Sequence, residues 1–380
     1  MRVLSLDTAG VEELLNSFGK LKHLRYLDLS NTRIKALPKS IGKFYNLQTL
    51  RMQNNWHLNK LPREMQNLIN LKKLVLTGCR KCGELPILGH LPFLRDVEIK
   101  GMDNLKRIGS EIYGYDLVYE ATPEKKMTVL FPALKKLSIE ECPELIEWME
   151  APTTTTTKKA GVPLLGGVDE RMELSVIHCP KLASITFSTD LNPCLEKLRI
   201  EDCDGLQSLP DFRSFTSLRE LCIGGCAGIT SLVSEFLQTG LGCLARLEDL
   251  RLGPFREDLD SFPDFQVPSQ QLVSLELKGW PKLKSLPQQV QHLTSLTSLT
   301  IWSFKGVETL PEWLGNLASL VKLSINWKDA PRTAAKNGPR FLTFEISQFG
   351  EDLKPCNASV KYCSLVDGHG FHVSRKTCIC

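Results

Sequence analysis

The chain has 380 residues, 42% hydrophobic and 24% charged, an ordinary globular balance with enough apolar material for a large core. Its formal charge is +4, from 47 basic and 43 acidic residues, which is too slight to point to nucleic acid or an anionic membrane. No run approaches the roughly 18 apolar residues of a membrane span, and Asp7 interrupts the opening stretch where a secretory leader needs an apolar core.

The 13 cysteines are odd in number and scattered, and the single glycosylation sequon is Asn357-Ala358-Ser359. Both favour a reducing, intracellular compartment, cytoplasmic with the nucleus as a second location.

In chain order, the pattern L-x-x-L-x-L with conservative swaps starts at Met1/Leu4/Leu6. It recurs at Leu24/Leu27/Leu29, Leu47/Leu50/Met52, Leu71/Leu74/Leu76, Leu94/Val97/Ile99 and Leu134/Leu137/Ile139. A degenerate unit follows at Leu174/Val176, then Leu195/Leu198/Ile200, Leu218/Leu221/Ile223 and Leu247/Leu250/Leu252. Leu272/Leu275/Leu277, Leu296/Leu299/Ile301 and Leu320/Leu323/Ile325 complete 13 units, most of them 23 to 25 residues apart. That is the leucine-rich-repeat period. The last two apolar residues of each unit are two apart, as on one face of a strand. One unit cannot bury its leucines, so stacking makes the core. The expected fold class is an α/β repeat solenoid, a horseshoe with a parallel sheet on its concave face and irregular or short helical convex turns.

Three residues after the last core position the chain should turn inward. Thr32, Asn55, Cys79, Cys142, Cys179, Cys203 and Cys226 stand there, small side chains able to bond backbone groups. Phe255, Trp280 and Phe304 replace cysteine in later units. A Leu-Pro pair follows at Leu37-Pro38, Leu61-Pro62, Leu85-Pro86, Leu209-Pro210, Leu286-Pro287 and Leu310-Pro311, with Phe262-Pro263 as a variant. Proline suits the start of a short helical turn, because it has no amide donor and a fixed φ. The next apolar residue, such as Ile41, Met65, Val290 or Leu314, packs inward from that turn.

Three segments carry a more specific resemblance: LRYLDLSNTRIKALPKSIGKFYNLQTL at 24–50, LKRIGSEIYG at 105–114 and FPALKKLSIEECPELIEW at 131–148. Residues 1–330 resemble the leucine-rich-repeat region of plant nucleotide-binding immune receptors, of the coiled-coil class common in grasses. The resemblance implies recognition of a pathogen-derived protein, or of a host protein that it has altered, and the triggering of defence. It also implies a second partner, a nucleotide-binding switch domain that such an array restrains. No phosphate-loop motif G-x-x-x-x-G-K-[ST] and no coiled coil occur in the chain. Met1 in the first core slot makes the chain read as a fragment or a truncated gene product, and ATP binding is not carried over.

Candidate binding residues are the variable positions flanking the core leucines, fixed on a rigid sheet. Arg25, Asp28, Arg51, Lys72 and Lys73 give the early units a net +3. Later units hold nine acids (Glu140, Glu141, Glu173, Glu196, Glu201, Asp202, Glu220, Glu248 and Asp249) against the six bases Lys135, Lys136, Lys197, Arg199, Arg219 and Arg251. Trp302 and Trp327 follow, with the composition of binding hot spots. The protein-binding set is therefore Arg25, Arg51, Lys72, Lys73, Glu201, Asp202, Trp302 and Trp327, with the basic end facing a switch domain and the aromatic end facing the recognised protein. The plainer reading is a solvated charged face with aromatics filling wide turns.

Two insertions lengthen the period, near 100–130 and 150–170, the second rich in threonine from Thr153 to Thr157. Residues 331–380 form a non-repeat tail, read as partly disordered, with Cys356, Cys363, His369, His372, Cys378 and Cys380. Their spacings lack the tight pairs of a zinc site. Cys378-Ile379-Cys380 looks like the double-cysteine prenylation ending of small vesicle-traffic GTPases, yet is not C-a-a-X. Cys79-x-x-Cys82 is a lone pair at a repeat turn, and no hydrolase, zinc-protease or dinucleotide motif occurs. The chain reads as a non-enzyme with no cofactor or metal. Alternatives are a generic repeat scaffold or decoy fragment without immune output and, more distantly, a metal- or lipid-modified regulatory protein.

Overall fold

The computed structural model describes residues 1–109, 112, 131–148, 171–185, 194–229, 240–254, 270–279, 286–302, 312–327, 340–345 and 363–366. Most of both insertions, most of the tail, and Phe255, Trp280 and Phe304 lie outside the described residues. The chain divides into two compact units, Met1–Ser217 and Leu218–Cys380.

The first unit stacks β1 (Val3–Ser5), β2 (Tyr26–Asp28), β3 (Thr49–Gln53), β4 (Lys73–Thr77) and β5 (Asp96–Lys100) in parallel, each beside the next. A two-residue strand, β6 (Arg107–Ile108), lies off this sheet. The stack continues through β7 (Lys136–Glu140), past β8 (Glu147–Trp148), to β9 (Met172–Ile177), then past β10 (Ser184–Ile185) to β11 (Leu195–Glu201). β6, β8 and β10 pair with one another in a small parallel sheet. Elsewhere short 3-10 helices fill the side away from the main sheet, and Pro38 and Pro62 cap two of them, where the Leu-Pro pairs place a helical turn.

Register explains the core. Leu27 lies opposite Leu50, Leu50 opposite Leu74, and Leu74 opposite Val97. Met52, Leu76, Ile99, Ile139, Val176 and Ile200 form a second column, each 0% exposed. Truncating such a leucine to alanine costs about 2–5 kcal/mol, because the transfer term and the cavity term add. At the outer end of the stack Met1 is 63% exposed, so the first core slot is not a core position; among the described residues β1 pairs on one side only, with β2. The degenerate unit is short of one residue. Leu195 pairs with Met172 while Lys197 pairs with Glu173, so a bulge at Glu196 absorbs the slip and keeps Leu174 and Leu198 in register.

The second unit repeats the scheme with parallel strands β12 (Glu220–Gly224), β13 (Asp249–Leu252), β14 (Ser274–Lys278), β15 (Ser298–Trp302) and β16 (Lys322–Trp327). β17 (Arg340–Glu345) and β18 (Cys363–Val366) then join antiparallel, unlike the repeats. The fold is a leucine-rich-repeat solenoid.

Candidate functional site

Side chains between the core columns point to the open face of each sheet. In the first unit one outward row runs Tyr26, Thr49, Lys73, Asp96, Lys136, Glu173 and Lys197 in register. From Lys73 onward its charge alternates in sign at every strand, and Lys197 reaches Glu173 at 3.4 Å. The neighbouring row, Arg25, Gln48, Lys72, Arg95 and Lys135, carries no acid, so alternation is a property of one row and not of the whole face. Positions further along the strands also form ion pairs: Lys100 Nζ lies 3.2 Å from Glu140 and 3.1 Å from Glu141. Arg199 Nε donates to Glu201 at 2.8 Å. In the second unit Arg219 meets Glu248 at 2.7 Å and Arg251 meets Asp249 at 3.1 Å. Exposed pairs of this kind each contribute about 0–1 kcal/mol, so they shape the surface more than they hold the fold.

The candidate residues separate into groups. Arg25, Lys72 and Lys73 are exposed, and among the described residues none of them has an ion-pair partner. Arg51 is half-buried, 3.9 Å from Asp28 and donating to Gln53 Oε1 at 2.8 Å. Glu201 is held by Arg199. Asp202 does not belong to the strand face at all; it stands one residue past β11 in a turn with φ 54°. Trp302 is half-buried at the end of β15, opposite Asn326. Trp327 therefore sits one register step further on, and its side chain lies outside the described residues.

Asp202 belongs to a row that periodicity did not reveal. Two residues after the last core position, Thr8, Asn31, Asn54, Gly78, Gly101, Glu141, His178 and Asp202 all adopt left-handed backbone, with φ between 53° and 67°. From Thr8 to His178 this lets the N–H extend the ladder by one bond. Asn54 N donates to Thr77 O at 2.6 Å, Gly78 N to Lys100 O at 2.7 Å, and His178 N to Glu201 O at 2.9 Å. The side chains form a rim beside the open face, where Asn31 bridges to Asp7 at 2.7 Å and Asn54 to Asn31 at 3.0 Å.

Below the rim lies the buried turn column. Asn55 Oδ1 accepts from Thr32 N and Thr32 Oγ1, both at 3.0 Å. Cys142, Cys179 and Cys203 instead donate thiol bonds to the carbonyls of Glu140, Ile177 and Glu201, at 3.4, 3.6 and 3.4 Å. Three residues on, the chain is buried again at Leu58, Cys82, Leu105, Leu145, Leu182 and Leu206. Cys82 thus fills a leucine slot, which accounts for the C-x-x-C spacing. Burial pushes both its thiol and that of Cys79 up, Cys79 to about 12, so neither is a nucleophile at neutral pH. Among the described residues no cluster of three or more metal-ligating side chains occurs, and no helix is long and apolar enough to cross a membrane.

Residues 1–113 match the family described as a leucine-rich repeat region. The chain contains a leucine-rich-repeat region like those of plant disease resistance proteins. It is 26% identical to disease resistance protein RPP5 of Arabidopsis thaliana over 317 residues, 82% of this chain and 20% of that protein. RPP4 of the same plant matches at 26% over 303 residues, 78% of this chain and 24% of that protein. The Arabidopsis protein SUPPRESSOR OF npr1-1, CONSTITUTIVE 1 matches at 22% over 286 residues, 75% of this chain and 15% of that protein. The chain spans less than a third of the length of the relatives it matches.

Proposed function

We propose that this leucine-rich-repeat region is a protein-recognition module of plant innate immunity, of the coiled-coil nucleotide-binding receptor class, acting in the cytoplasm. Its ligand is a pathogen effector or a host protein that an effector has modified. In a full-length receptor the same array also restrains a nucleotide-binding switch. The module binds and does not catalyse. The observation that carries this reading is the open strand face: rows of outward side chains stand in register on a core that is 0–2% exposed at nearly every inward position, which presents a preorganised surface at low entropic cost. Similarity to resistance proteins over about four-fifths of the chain supports the immune setting. The nine described cysteines are all free thiols, which accords with a reducing compartment.

Within that face, Arg25, Lys72 and Lys73 are exposed cations that make no ion pair among the described residues, and they contribute at the early end, with Arg51 supporting them. Glu201, Trp302 and Trp327 contribute further along the chain, and Asp202 contributes from the turn beside the face. The test is co-expression in leaves of the receptor carrying this segment with a panel of secreted pathogen proteins, reading localised cell death. A panel member that triggers death with the native chain should fail with the Lys72→Glu/Lys73→Glu variant at equal protein level. Trp302→Ala/Trp327→Ala should weaken the same response. A response indifferent to both double variants overturns the assignment of this face.

A further inference from the structure

The entry edge of the first unit's main sheet, across the strands from the left-handed rim, carries a row of its own. One residue before β1, β2, β3, β4, β5 and β7 stand Arg2, Arg25, Gln48, Lys72, Arg95 and Lys135. Backbone bonds fix them in register. Arg25 N donates to Arg2 O at 2.7 Å and Gln48 N to Arg25 O at 2.7 Å. Lys72 N donates to Gln48 O, Arg95 N to Lys72 O and Lys135 N to Arg95 O, each at 2.8 Å. The row stops at β9, where buried Met172 takes the corresponding place.

The charge along this edge is one-sided. The row holds five cations and no acid, and on the same strands the register row beside it adds Lys73 and Lys136 against one carboxylate, Asp96. The two rows together carry +6 on a chain whose formal charge is +4, so the rest of the chain is net negative. Arg2, Arg25, Lys72 and Arg95 are exposed and make no ion pair among the described residues. Cations on adjacent strands, about 4.8 Å apart, repel one another and gain from a shared counter-charge. On the outer flank, the two residues before Leu24, Leu47, Leu71, Leu94 and Leu134 include no acid. They do include Tyr45, Ile69 and Phe93, which are 49%, 49% and 50% exposed. Asn70 Nδ2 donates to Tyr45 O at 2.6 Å, which holds the Ile69 loop against the Tyr45 loop. Large apolar side chains exposed in successive repeats beside a cation row mark an interaction surface.

We propose that this entry edge binds an extended acidic segment of a partner protein, its carboxylates against Arg25, Lys72 and Arg95 and its apolar side chains against Tyr45, Ile69 and Phe93. A row with one position per strand runs straight across the sheet, so it matches a chain laid across the strands, and the one-sided charge selects glutamate and aspartate. The inference rests on the protein-recognition reading and names the class of segment that the early end recognises.

The probes are three fluorescein-labelled nonapeptides, titrated against the full chain at neutral pH by anisotropy. One has glutamates and two leucines among serines, one has lysine in place of each glutamate, and one has serine in place of each leucine. The first should bind about tenfold tighter than its lysine counterpart, and more weakly as ionic strength rises from about 0.01 M to about 0.15 M. Arg25→Glu/Arg95→Glu, at two exposed positions, should weaken it about tenfold, the scale of two exposed pairs turned into repulsions. Lys278→Glu/Lys322→Glu, the same change of charge in the second unit, should leave it unchanged. Tyr45→Ser/Phe93→Ser should bring it down to the affinity of the leucine-free peptide. Equal binding of the glutamate and lysine peptides, or a loss that Lys278→Glu/Lys322→Glu reproduces, overturns the acidic-segment site. So does a short oligothymidylate bound as tightly as the glutamate peptide, which would make the row a general polyanion site. A glutamate peptide that does not bind, while Lys72→Glu/Lys73→Glu still abolishes the leaf response, overturns the acidic segment and leaves the protein-recognition reading intact.

Discussion

The turn column of the first unit fills one structural position in two ways. At its early end Thr32 and Asn55 join adjacent repeats through a buried amide oxygen that accepts two bonds at 3.0 Å. At its later end Cys142, Cys179 and Cys203 stand in the same place and bond through thiols, to carbonyls of their own repeats at 3.4 to 3.6 Å, to Val176 of the repeat before at 3.8 Å, and from Cys179 to the neighbouring thiols of Cys142 and Cys203. Both ends are equally buried, at 0–3% exposure. The position therefore demands burial, which Met102 at 0% exposure also meets without any donor, and strong hydrogen bonding is optional. A thiol meets the demand as a small hydrophobe with a weak donor.

The largest expected effect separates the two kinds of filling by reactivity. The Cys179 thiol is pushed up to about 12, by its hydrogen bond with Cys142 and then by burial, and Cys79 to about 12 by burial. Against an ordinary thiol of 9.0, the thiolate at pH 8 is rarer by roughly a thousandfold. Iodoacetamide followed by mass spectrometry of the folded chain should label exposed Cys243 and leave Cys79 and Cys179 protected until denaturant is added. Labelling of Cys179 within tenfold of the Cys243 rate would contradict a closed thiol column.

The next effect sets one end against the other in stability. Asn55→Ala leaves the buried Thr32 N–H without its acceptor, while the Thr32 hydroxyl keeps the Leu29 carbonyl at 2.9 Å, and costs about 2–3 kcal/mol. Cys179→Ala removes one polarisable atom whose bonds are weak and costs about 1 kcal/mol. Urea unfolding midpoints of the two variants read the difference. An Asn55→Ala penalty no larger than that of Cys179→Ala would mean that the two ends are not chemically different.

Leucine spacing made the columns at Leu27, Leu50 and Leu74 legible, because a period-2 apolar pair inside a fixed repeat has one stacking solution. The turn column was legible in part, since Thr32, Asn55 and the cysteines recur three positions after their cores, while Met102 in the same column breaks the small-residue pattern. The left-handed rim was not. Asn54, Gly78, Glu141, His178 and Asp202 share no side-chain chemistry; what they share is a backbone conformation that Asn and Gly adopt readily and Glu rarely does. The alternating row Lys73, Asp96, Lys136, Glu173, Lys197 was also hidden, because steps of 40 and 37 residues and the bulge at Glu196 conceal which charges become neighbours. Counting charges along the chain gives the totals of the early and later units, and only register shows which charges alternate within this one row.

The smallest effect tests whether the open face above the thiol end matters as little as its exposure implies. Burial pushes the Glu140 carboxyl up, but hydrogen bonds from Ser138 and Lys100 outweigh it and hold the group below its ordinary 4.5. Lys100 is raised above 10.5 by Glu141 and then Glu140. A lowered carboxyl contributes stability above its unfolded value and loses it as pH falls through the folded value; a raised ammonium contributes below its unfolded value and loses it as pH rises through the folded one. The contribution is thus full between about pH 5 and pH 10. Both side chains are about a third exposed (34% for Lys100, 27% for Glu140), so solvent limits the pair to about 0.5 kcal/mol. Glu140→Gln should lower the urea midpoint slightly at pH 7 and by less at pH 3.5, because the native carboxyl loses its contribution as pH falls through its lowered folded value. A penalty of the same size at both values would show that Glu140 acts through its shape and its Ser138 bond, and that charge alternation on the face is a consequence of packing rather than a contributor to it.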